Sequence, residues 1–152
     1  DSIRHLGVKL KHNANSALLK GKRVVLVDDS IVRGTTSAKI VNMVRQAGAA
    51  EVHMRIAAPP TRHPCFYGID TPDESELLAA RFDVAGMAQE IGCDSLAFIS
   101  DDGLYRAMGY PQRNALQPQF CDACFTGDYP IRLTDKVEGE SGQRQLSLLA
   151  EG

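Results

Sequence analysis

The sequence has no tryptophan, and Phe, Trp and Tyr together make up only 6% of its 152 residues. Such a chain is poor in the side chains that stack on bases. A formal net charge of −2 gives no overall attraction to nucleic acid or lipid either. The chain also lacks the roughly 18 consecutive apolar residues of a membrane span and the features of a secretory leader. We therefore expect a cytoplasmic protein with no nucleic-acid partner and no membrane partner.

Two common phosphate-binding signatures are also missing. Neither the Walker pattern G-x-x-x-x-G-K-[ST] nor the dinucleotide fingerprint G-x-G-x-x-G occurs, which argues against those two nucleotide-binding classes. The 43% apolar and 24% charged residues are ordinary for a globular protein. A chain of this length is sufficient for one domain with its own core.

The charge is concentrated at one end. Residues 1–23 carry a single acid, Asp1, against six basic side chains: Arg4, Lys9, Lys11, Lys20, Lys22 and Arg23. This local excess suits a polyanionic ligand such as a phosphate ester, and a solvated basic surface is the alternative. The opening 15 residues predict no complete element. We interpret them as an entry into a longer protein, through either processing or a partial chain.

The clearest local pattern is the run Val24–Val27, four apolar residues that predict a strand buried on both faces. After a loop, Thr35 or Thr36 is expected to cap a helix that runs to about Ala47. A second strand is expected over residues 52–58. The pattern therefore indicates a strand–loop–helix–strand unit with parallel strands.

Shorter elements are expected further along the chain. Helical patterns cover residues 74–80 and 84–91, a strand pattern covers residues 95–99, and a short helix is expected over residues 101–108. From Gly109 onward, turn-forming and polar residues dominate. The alternation of strands and helices predicts an α/β fold.

Two acids follow the first strand, at the edge where open α/β sheets bind ligands. Asp28 and Asp29 precede the loop Ser30–Ser37, which leads into a helix N-terminus, a natural anion site. Gly34 allows the backbone to approach a phosphate closely, and three hydroxyl donors follow it: Thr35, Thr36 and Ser37. Paired carboxylates would repel a bare phosphate, so the ligand should also offer sugar hydroxyls or a divalent cation. The alternative is an ordinary turn and helix cap.

Four cysteines are present, and two of them form the C-x-x-C motif of Cys121 and Cys124. This spacing fits a redox pair, half of a zinc site, a pair of iron–sulfur ligands or two inert thiols. The loop-rich surroundings argue against a thioredoxin-type motif, and a cytoplasmic location argues against disulfides. Spacing alone leaves a metal site and two ordinary thiols both open.

Several segments together resemble one known family. VVLVDDSIVRGTTS is similar to the phosphoribosyl-pyrophosphate signature of type I phosphoribosyltransferases. GVKLKHNAN, HPCFYGIDTP, EIG-x-D-x-L-x-F and CDACFTGDYP resemble the glutamine phosphoribosylpyrophosphate amidotransferase family, and they occur in the same order. The resemblance covers residues 1 to about 131 and adds nothing for the last twenty.

The resemblance implies a fold and a reaction. The expected fold is an incomplete, Rossmann-like parallel sheet of the type I phosphoribosyltransferase kind, flanked by helices and followed by an irregular segment with cysteines. Residues 1–22 would be the trailing part of a flexible substrate loop, residues 23–131 the C-terminal portion of the transferase domain, and residues 132–152 a polar tail. The implied reaction joins glutamine-derived ammonia to phosphoribosyl pyrophosphate and forms 5-phosphoribosylamine, the first step of de novo purine synthesis.

The family pattern also implies roles for individual residues. Asp28 and Asp29 would bind the ribose hydroxyls and help to place Mg²⁺. The amides of Arg33 and Gly34 would bind the 5-phosphate together with the three hydroxyls of Thr35, Thr36 and Ser37. Lys11 matches a family lysine near the pyrophosphate or nucleotide, although an ordinary exposed lysine is an equal alternative.

The family resemblance also implies a role for three of the cysteines. In one branch of the family a 4Fe–4S cluster is bound by cysteines at the positions of Cys65, Cys121 and Cys124, and the fourth ligand would lie upstream. Cys93 has no counterpart in that pattern, and we expect a buried thiol.

The resemblance further implies purine nucleotides as feedback ligands and a homo-oligomeric full-length enzyme. The family's glutaminase domain has no counterpart in this sequence, so we expect no glutamine hydrolysis by this polypeptide alone and little turnover with ammonia. Two alternatives remain: a regulatory module that binds purine nucleotides, and another type I phosphoribosyltransferase that acts on a free base.

Overall fold

The structure is a computed structural model that describes residues 14–131. Lys11 and the tail 132–152 lie outside the described residues. Within them, three strands form a parallel sheet in the order β1-β2-β3. The strands are β1 (Arg23–Asp28), β2 (Glu51–Ile56) and β3 (Ser95–Phe98).

Helices connect and follow these strands. The longest, α2, follows β1, and α4 leads into β3. The α-helices are α1 (Ser16–Leu19), α2 (Thr35–Gln46), α3 (Leu78–Arg81), α4 (Val84–Ile91), α5 (Asp101–Ala107) and α6 (Ala123–Thr126), and a 3-10 helix covers Glu74–Glu76. The predicted α/β architecture with a parallel sheet and flanking helices is confirmed.

One face of the sheet carries the hydrophobic core. Apolar residues at helical spacing on α2 and α4 pack against alternate residues of the strands. The central buried residues are Val41 and Val44 of α2, Val52, Met54 and Ile56 of β2, Met87 and Ile91 of α4, and Leu96 of β3. This packing fixes the helix that follows β1 against the sheet.

The expectation that β1 is buried on both faces is wrong. Val24 and Leu26 pack against the core, but Val25 is 59% exposed and Val27 is 76% exposed. Within residues 14–131 the helices cover only the other side of this strand. The continuous apolar run therefore shows that both faces of β1 carry apolar side chains. It does not show that both faces are covered within residues 14–131.

Two local boundaries also differ from the sequence expectation. The N-cap of α2 is Gly34, not a threonine, and it makes no side-chain capping bond. The helix expected over residues 74–80 is interrupted at Leu77, whose backbone is extended. The reason is tertiary: Leu77 is fully buried, and the N–H of Leu78 donates to the carbonyl of Val32 at 2.8 Å instead of continuing a helix.

The carboxyl ends of the strands meet at one edge of the sheet. The N–H of Ala57 donates to the carbonyl of Asp28 at 2.9 Å, and the N–H of Ile99 donates to the carbonyl of Ile56 at 3.0 Å. The loops after β1 and β2 thus leave the sheet side by side. In the part of the chain described here, no helix is both long and apolar enough to cross a bilayer.

Candidate functional site

An open pocket of about 330 Å³ lies at the carboxyl end of β1. One continuous segment, Asp28 through Ser37, lines it. The structure therefore brings Asp28, Asp29 and every predicted residue of the phosphate loop to the same cavity. The pocket is formed by a strand end, a loop and the start of a 12-residue helix, as the sequence pattern predicted.

The two carboxylates lie at the pocket and not in the core. Asp28 is half-buried, and its Oδ1 accepts a hydrogen bond from the N–H of Asp29 at 3.0 Å. Asp29 is exposed, and its Oδ1 accepts a hydrogen bond from the Ser30 hydroxyl at 3.2 Å. Each carboxylate has further lone pairs that a sugar hydroxyl or a cation can use.

The start of α2 offers backbone donors to an anion. Gly34 has φ of +78°, a left-handed conformation that favours glycine. Because this cap makes no side-chain hydrogen bond, the first-turn N–H groups of α2 are left for a ligand. Thr35 and Thr36 are exposed, whereas Ser37 is 3% exposed at the inner wall of the pocket.

A second segment, residues 76–78, packs directly against this loop. A Cβ atom built on Gly34 would lie 2.6 Å from Cδ2 of Leu78, so any other residue at this position requires the buried Leu78 side chain to move. The Arg33 Nε donates to Oε2 of Glu76 at 3.0 Å. Sequence reasoning missed Glu76 and Leu78, because they lie more than forty residues along the chain and no spacing rule connects them to the loop.

Three of the four cysteines lie in two segments that contact each other, Cys65 in the loop after β2 and Cys121 and Cys124 in or next to α6. The carbonyl of Cys124 accepts hydrogen bonds from the N–H groups of Arg62 and His63 at 2.9 and 3.0 Å, so α6 lies against the segment that leads to Cys65. Burial raises the pKa of the Cys124 thiol, and the nearby thiols of Cys121 and Cys65 raise it further. The structure therefore places these three side chains within electrostatic range of one another.

The loop around Cys65 has a defined shape. Its N–H donates to the Thr71 hydroxyl at 2.7 Å, and the N–H of Tyr67 donates to its sulfur at 3.4 Å. Tyr129 joins this loop to the C-x-x-C segment through a hydrogen bond from its hydroxyl to the carbonyl of Pro64 at 2.7 Å. Even so, residues 14–131 contain no group of three or more His, Cys, Asp or Glu side chains arranged to bind a metal ion.

A buried network of charged and polar side chains converges on Asp122, within the C-x-x-C motif. Asp122, between the two cysteines, is 4% exposed and accepts hydrogen bonds from Arg113, from the Tyr105 hydroxyl at 2.9 Å and from the Thr126 hydroxyl at 3.3 Å. Burial alone would raise the pKa of Asp122, but the hydrogen bonds from Arg113 and Tyr105 outweigh it and hold that pKa below its ordinary value. Sequence reasoning missed this network, because Tyr105 on α5, Arg113 and Asp122 come from separate segments that no spacing rule connects.

Cys93 lies apart from these residues, after α4. Its half-buried thiol donates to the carbonyl of Ala88 at 3.7 Å, and burial raises its pKa. The expectation of a buried thiol is therefore only partly met. The neighbouring Asp94 accepts hydrogen bonds from Arg45 and from the N–H of Val52, which fastens the start of β3 to α2 and β2.

The chain has close sequence relatives among known proteins. No protein-family model matches the chain. Among curated proteins, it is 64% identical over 149 residues to an amidophosphoribosyltransferase of Rhizobium etli and 52% identical over 134 residues to that of Bacillus subtilis. It is 56% identical over 137 residues to the chloroplastic amidophosphoribosyltransferase 2 of Arabidopsis thaliana. These matches cover 97%, 87% and 90% of the chain.

The chain is homologous to a part of the amidophosphoribosyltransferases. The resemblance stated from the sequence motifs is confirmed. The chain spans 30%, 28% and 24% of the lengths of the three relatives, respectively, so the activity of a whole amidophosphoribosyltransferase is not established by this segment.

Solved structures agree with the sequence comparison. The chain resembles the glutamine phosphoribosylpyrophosphate amidotransferase of B. subtilis complexed with ADP and GMP, with a TM-score of 0.77 and 48% identity over 90% of this chain and 30% of that one. A structure described as the allosteric regulatory enzyme of purine biosynthesis gives a TM-score of 0.70 and 52% identity, covering 80% of this chain and 26% of that one. The type I phosphoribosyltransferase fold predicted from the motifs is therefore confirmed for this amidophosphoribosyltransferase segment.

Proposed function

We propose that the chain carries the phosphoribosyl-pyrophosphate-binding part of an amidophosphoribosyltransferase. In the proposed reaction, glutamine-derived ammonia attacks C1 of the ribose, pyrophosphate leaves, and 5-phosphoribosylamine forms as the first step of de novo purine synthesis. The observation that carries the proposal is the pocket of Asp28 to Ser37, in which two carboxylates lie beside an uncapped helix N-terminus. The 64% identity to an amidophosphoribosyltransferase supports the same conclusion.

The proposed roles follow from the charges of the ligand. Asp28 and Asp29 accept hydrogen bonds from the ribose hydroxyls, and the amides of Arg33 and Gly34 donate to the 5-phosphate. The hydroxyls of residues 35–37 complete the phosphate site. As the bond from C1 to pyrophosphate breaks, the ribose gains positive character and the leaving group gains negative charge. The contribution of this segment is to fix the ribose phosphate so that C1 meets the nucleophile in the right orientation.

Mg²⁺ is part of the proposal, and the donor set of the pocket fits it. Magnesium prefers oxygen ligands and is usually bound by one or two carboxylates together with substrate phosphates and water. Asp28 and Asp29 offer two carboxylates at the pocket. When bound, the ion would neutralise charge on the pyrophosphate. A site completed by the ligand is compatible with the finding that residues 14–131 include no metal group formed by three side chains of their own.

A 4Fe–4S cluster is a further part of the proposal. Thiolates are the ligands that such clusters take, and the backbone of Cys124 is hydrogen-bonded to the segment that leads to Cys65. Three cysteines cannot complete a four-cysteine site, so the fourth ligand would come from outside residues 14–131. The cluster would have a structural role, since the proposed transfer moves no electrons. A reducing, cytoplasmic location is part of the same proposal, because cysteines that bind a cluster must not be oxidised to disulfides.

A regulatory function is the second candidate. One solved relative is complexed with ADP and GMP, and a nucleotide 5-phosphate suits the same helix N-terminus as the phosphate of the substrate. Feedback nucleotides are therefore proposed ligands of the pocket, with Lys11 as a proposed contact and a homo-oligomer as the proposed state of the complete enzyme. The remaining alternative, a phosphoribosyltransferase for free bases, predicts pyrophosphate release when a free base replaces ammonia.

Calorimetric titration separates these candidates. Phosphoribosyl pyrophosphate and AMP are each titrated into the complete encoded polypeptide, with and without Mg²⁺. We expect Mg²⁺-dependent binding of phosphoribosyl pyrophosphate that is lost in the double variant Asp28→Asn/Asp29→Asn. The double variant Asp70→Asn/Asp73→Asn is the matched control, because it removes the same two charges from exposed positions outside the pocket. Binding of AMP alone would support the regulatory function, and equal losses in both double variants would contradict the assigned carboxylate roles.

Iron analysis tests the cluster independently of the pocket. Protein purified without oxygen is expected to be brown and to contain iron, and Cys65→Ser, Cys121→Ser or Cys124→Ser should each lower the iron content. Cys93→Ser is the control, since Cys93 lies apart from the other three and should keep the iron. Colourless protein, or iron that depends equally on Cys93, would reject this ligand set.

A further inference from the structure

The phosphate loop is fastened from one side by the segment 76–78. The carbonyl of Val32 accepts the N–H of Leu78 at 2.8 Å, and Gly34 lies against the side chain of Leu78. The third contact is the ion pair between Arg33 and Glu76. The first two contacts fix the backbone at both neighbours of Arg33. The ion pair fixes the side chain of Arg33 itself.

The ion pair involves the Nε atom of the Arg33 guanidinium group. Oε2 of Glu76 accepts from Nε of Arg33 at 3.0 Å. Within residues 14–131 the hydrogen bond recorded for the Arg33 guanidinium uses Nε, and its two terminal nitrogens can donate to a phosphate. Arg33 also lines the pocket.

This pair contributes little to folding. The side chains of Arg33 and Glu76 are 52% and 51% exposed, and ion pairs at that exposure add little to stability. Its effect is local, because it selects one orientation of a long, flexible side chain beside an anion site. Restricting that side chain before the ligand arrives lowers the entropy lost on binding.

We propose that Glu76 is a positioning residue for the phosphate site, which acts by orienting the guanidinium of Arg33 toward an anionic ligand in the pocket of Asp28 to Ser37. This inference rests on the proposed function, since it assumes that phosphoribosyl pyrophosphate or a nucleotide binds there. The inference adds Glu76 to the residues that shape the site. Glu76 contacts Arg33 in the loop but does not line the pocket itself.

The test is Glu76→Ala in the complete encoded polypeptide, with Glu74→Ala as the matched control. Glu74 lies on the same 3-10 helix, is 52% exposed and approaches His63 at 3.8 Å instead of the loop. Both variants remove one negative charge at almost the same place. Dissociation constants for phosphoribosyl pyrophosphate and AMP are measured by calorimetry, and pyrophosphate release is measured with ammonia as the nitrogen donor. We expect Glu76→Ala to raise both dissociation constants by about twofold to fivefold, in line with an exposed charge pair. Glu74→Ala should leave them unchanged.

The kinetic constants separate positioning from a structural defect. Weaker holding of the phosphate affects substrate and transition state alike, so KM should rise while kcat stays constant. Partial unfolding would instead lower kcat at constant KM. Glu76→Gln keeps an oxygen that can accept from Nε, and its KM should lie between those of the wild type and Glu76→Ala. In an Arg33→Ala background, Glu76→Ala should have no further effect.

Each other outcome overturns a specific claim. If Glu76→Ala binds both ligands as tightly as the wild type, the positioning role is wrong and the proposed function is untouched. If Glu74→Ala weakens binding equally, the effect is general electrostatics and the positioning role is again wrong. If the wild type binds neither ligand, the proposed function itself fails.

Discussion

Replacing Gly34 with alanine tests how closely the phosphate loop is packed. Two costs are expected at this position. The left-handed backbone, with φ of +78°, costs a non-glycine residue about 1–2 kcal/mol. The new Cβ would lie 2.6 Å from Cδ2 of Leu78, and relief of such a contact in a packed core costs about 1–3 kcal/mol. Because Leu78 is 1% exposed, its side chain has little room to turn away.

Gly92→Ala provides the matched control. Gly92 follows the last residue of α4 and has a left-handed backbone like that of Gly34, at φ of +81°, but an added Cβ there meets nothing within 4 Å. It should therefore carry only the backbone cost of about 1–2 kcal/mol. The stabilisation from a less flexible unfolded chain is common to both variants and cancels in the comparison. The extra destabilisation of Gly34→Ala then measures the contact with Leu78.

Urea denaturation followed by circular dichroism gives the free energies of unfolding, since the chain has no tryptophan to report by fluorescence. We expect Gly34→Ala to lose about 2–5 kcal/mol in total. Displacement of the Gly34 amide should also remove a hydrogen bond to phosphate and weaken AMP binding roughly tenfold to a hundredfold. Equal destabilisation by both variants, or unchanged AMP affinity in Gly34→Ala, would refute the reasoning.

Three further predictions concern the hydrogen-bonded network around Asp122. Arg113→Met leaves the Asp122 carboxylate buried without its ion-pair partner and should cost about 3–5 kcal/mol in urea denaturation; a loss below 1 kcal/mol would show that the pair is unimportant. Tyr105→Phe removes one buried hydrogen bond to Asp122 and should cost only about 1 kcal/mol. Because the pKa of Asp122 is lowered in the folded state, its contribution is present above the unfolded pKa of about 3.9 and is lost as the pH falls through the folded pKa. The wild type should therefore lose stability below about pH 4 more steeply than Asp122→Asn, and parallel pH profiles would contradict this assignment.

The phosphate loop was predictable because its parts are adjacent in sequence. Strand, paired acids, glycine and helix start follow one another from Val24 to Ser37, so local rules of hydrogen bonding and helix termini already place them together. The structure confirms that Asp28 and Ser37 share one pocket. The same local rules predicted α2, α4 and the parallel arrangement of β1 and β2.

The cysteines were predictable only in part. The C-x-x-C spacing left a metal site and two ordinary thiols both open, and the family resemblance alone favoured a metal site and added Cys65. Their approach depends on hydrogen bonds between Cys124 and the segment Arg62–His63, which spacing cannot reveal. The ligand assignment stays a prediction.

The sequence by itself determined the segments whose structure depends on near neighbours, namely the strands, the main helices and the loop Ser30–Ser37. Only the tertiary structure decided which distant side chains support them. Glu76 and Leu78 against the loop, Arg113 and Tyr105 on Asp122, and the exposed face of β1 all depend on how separate elements pack. The physical reason is that burial and ion pairing act through space, whereas helix caps, turns and strand periodicity act along the chain.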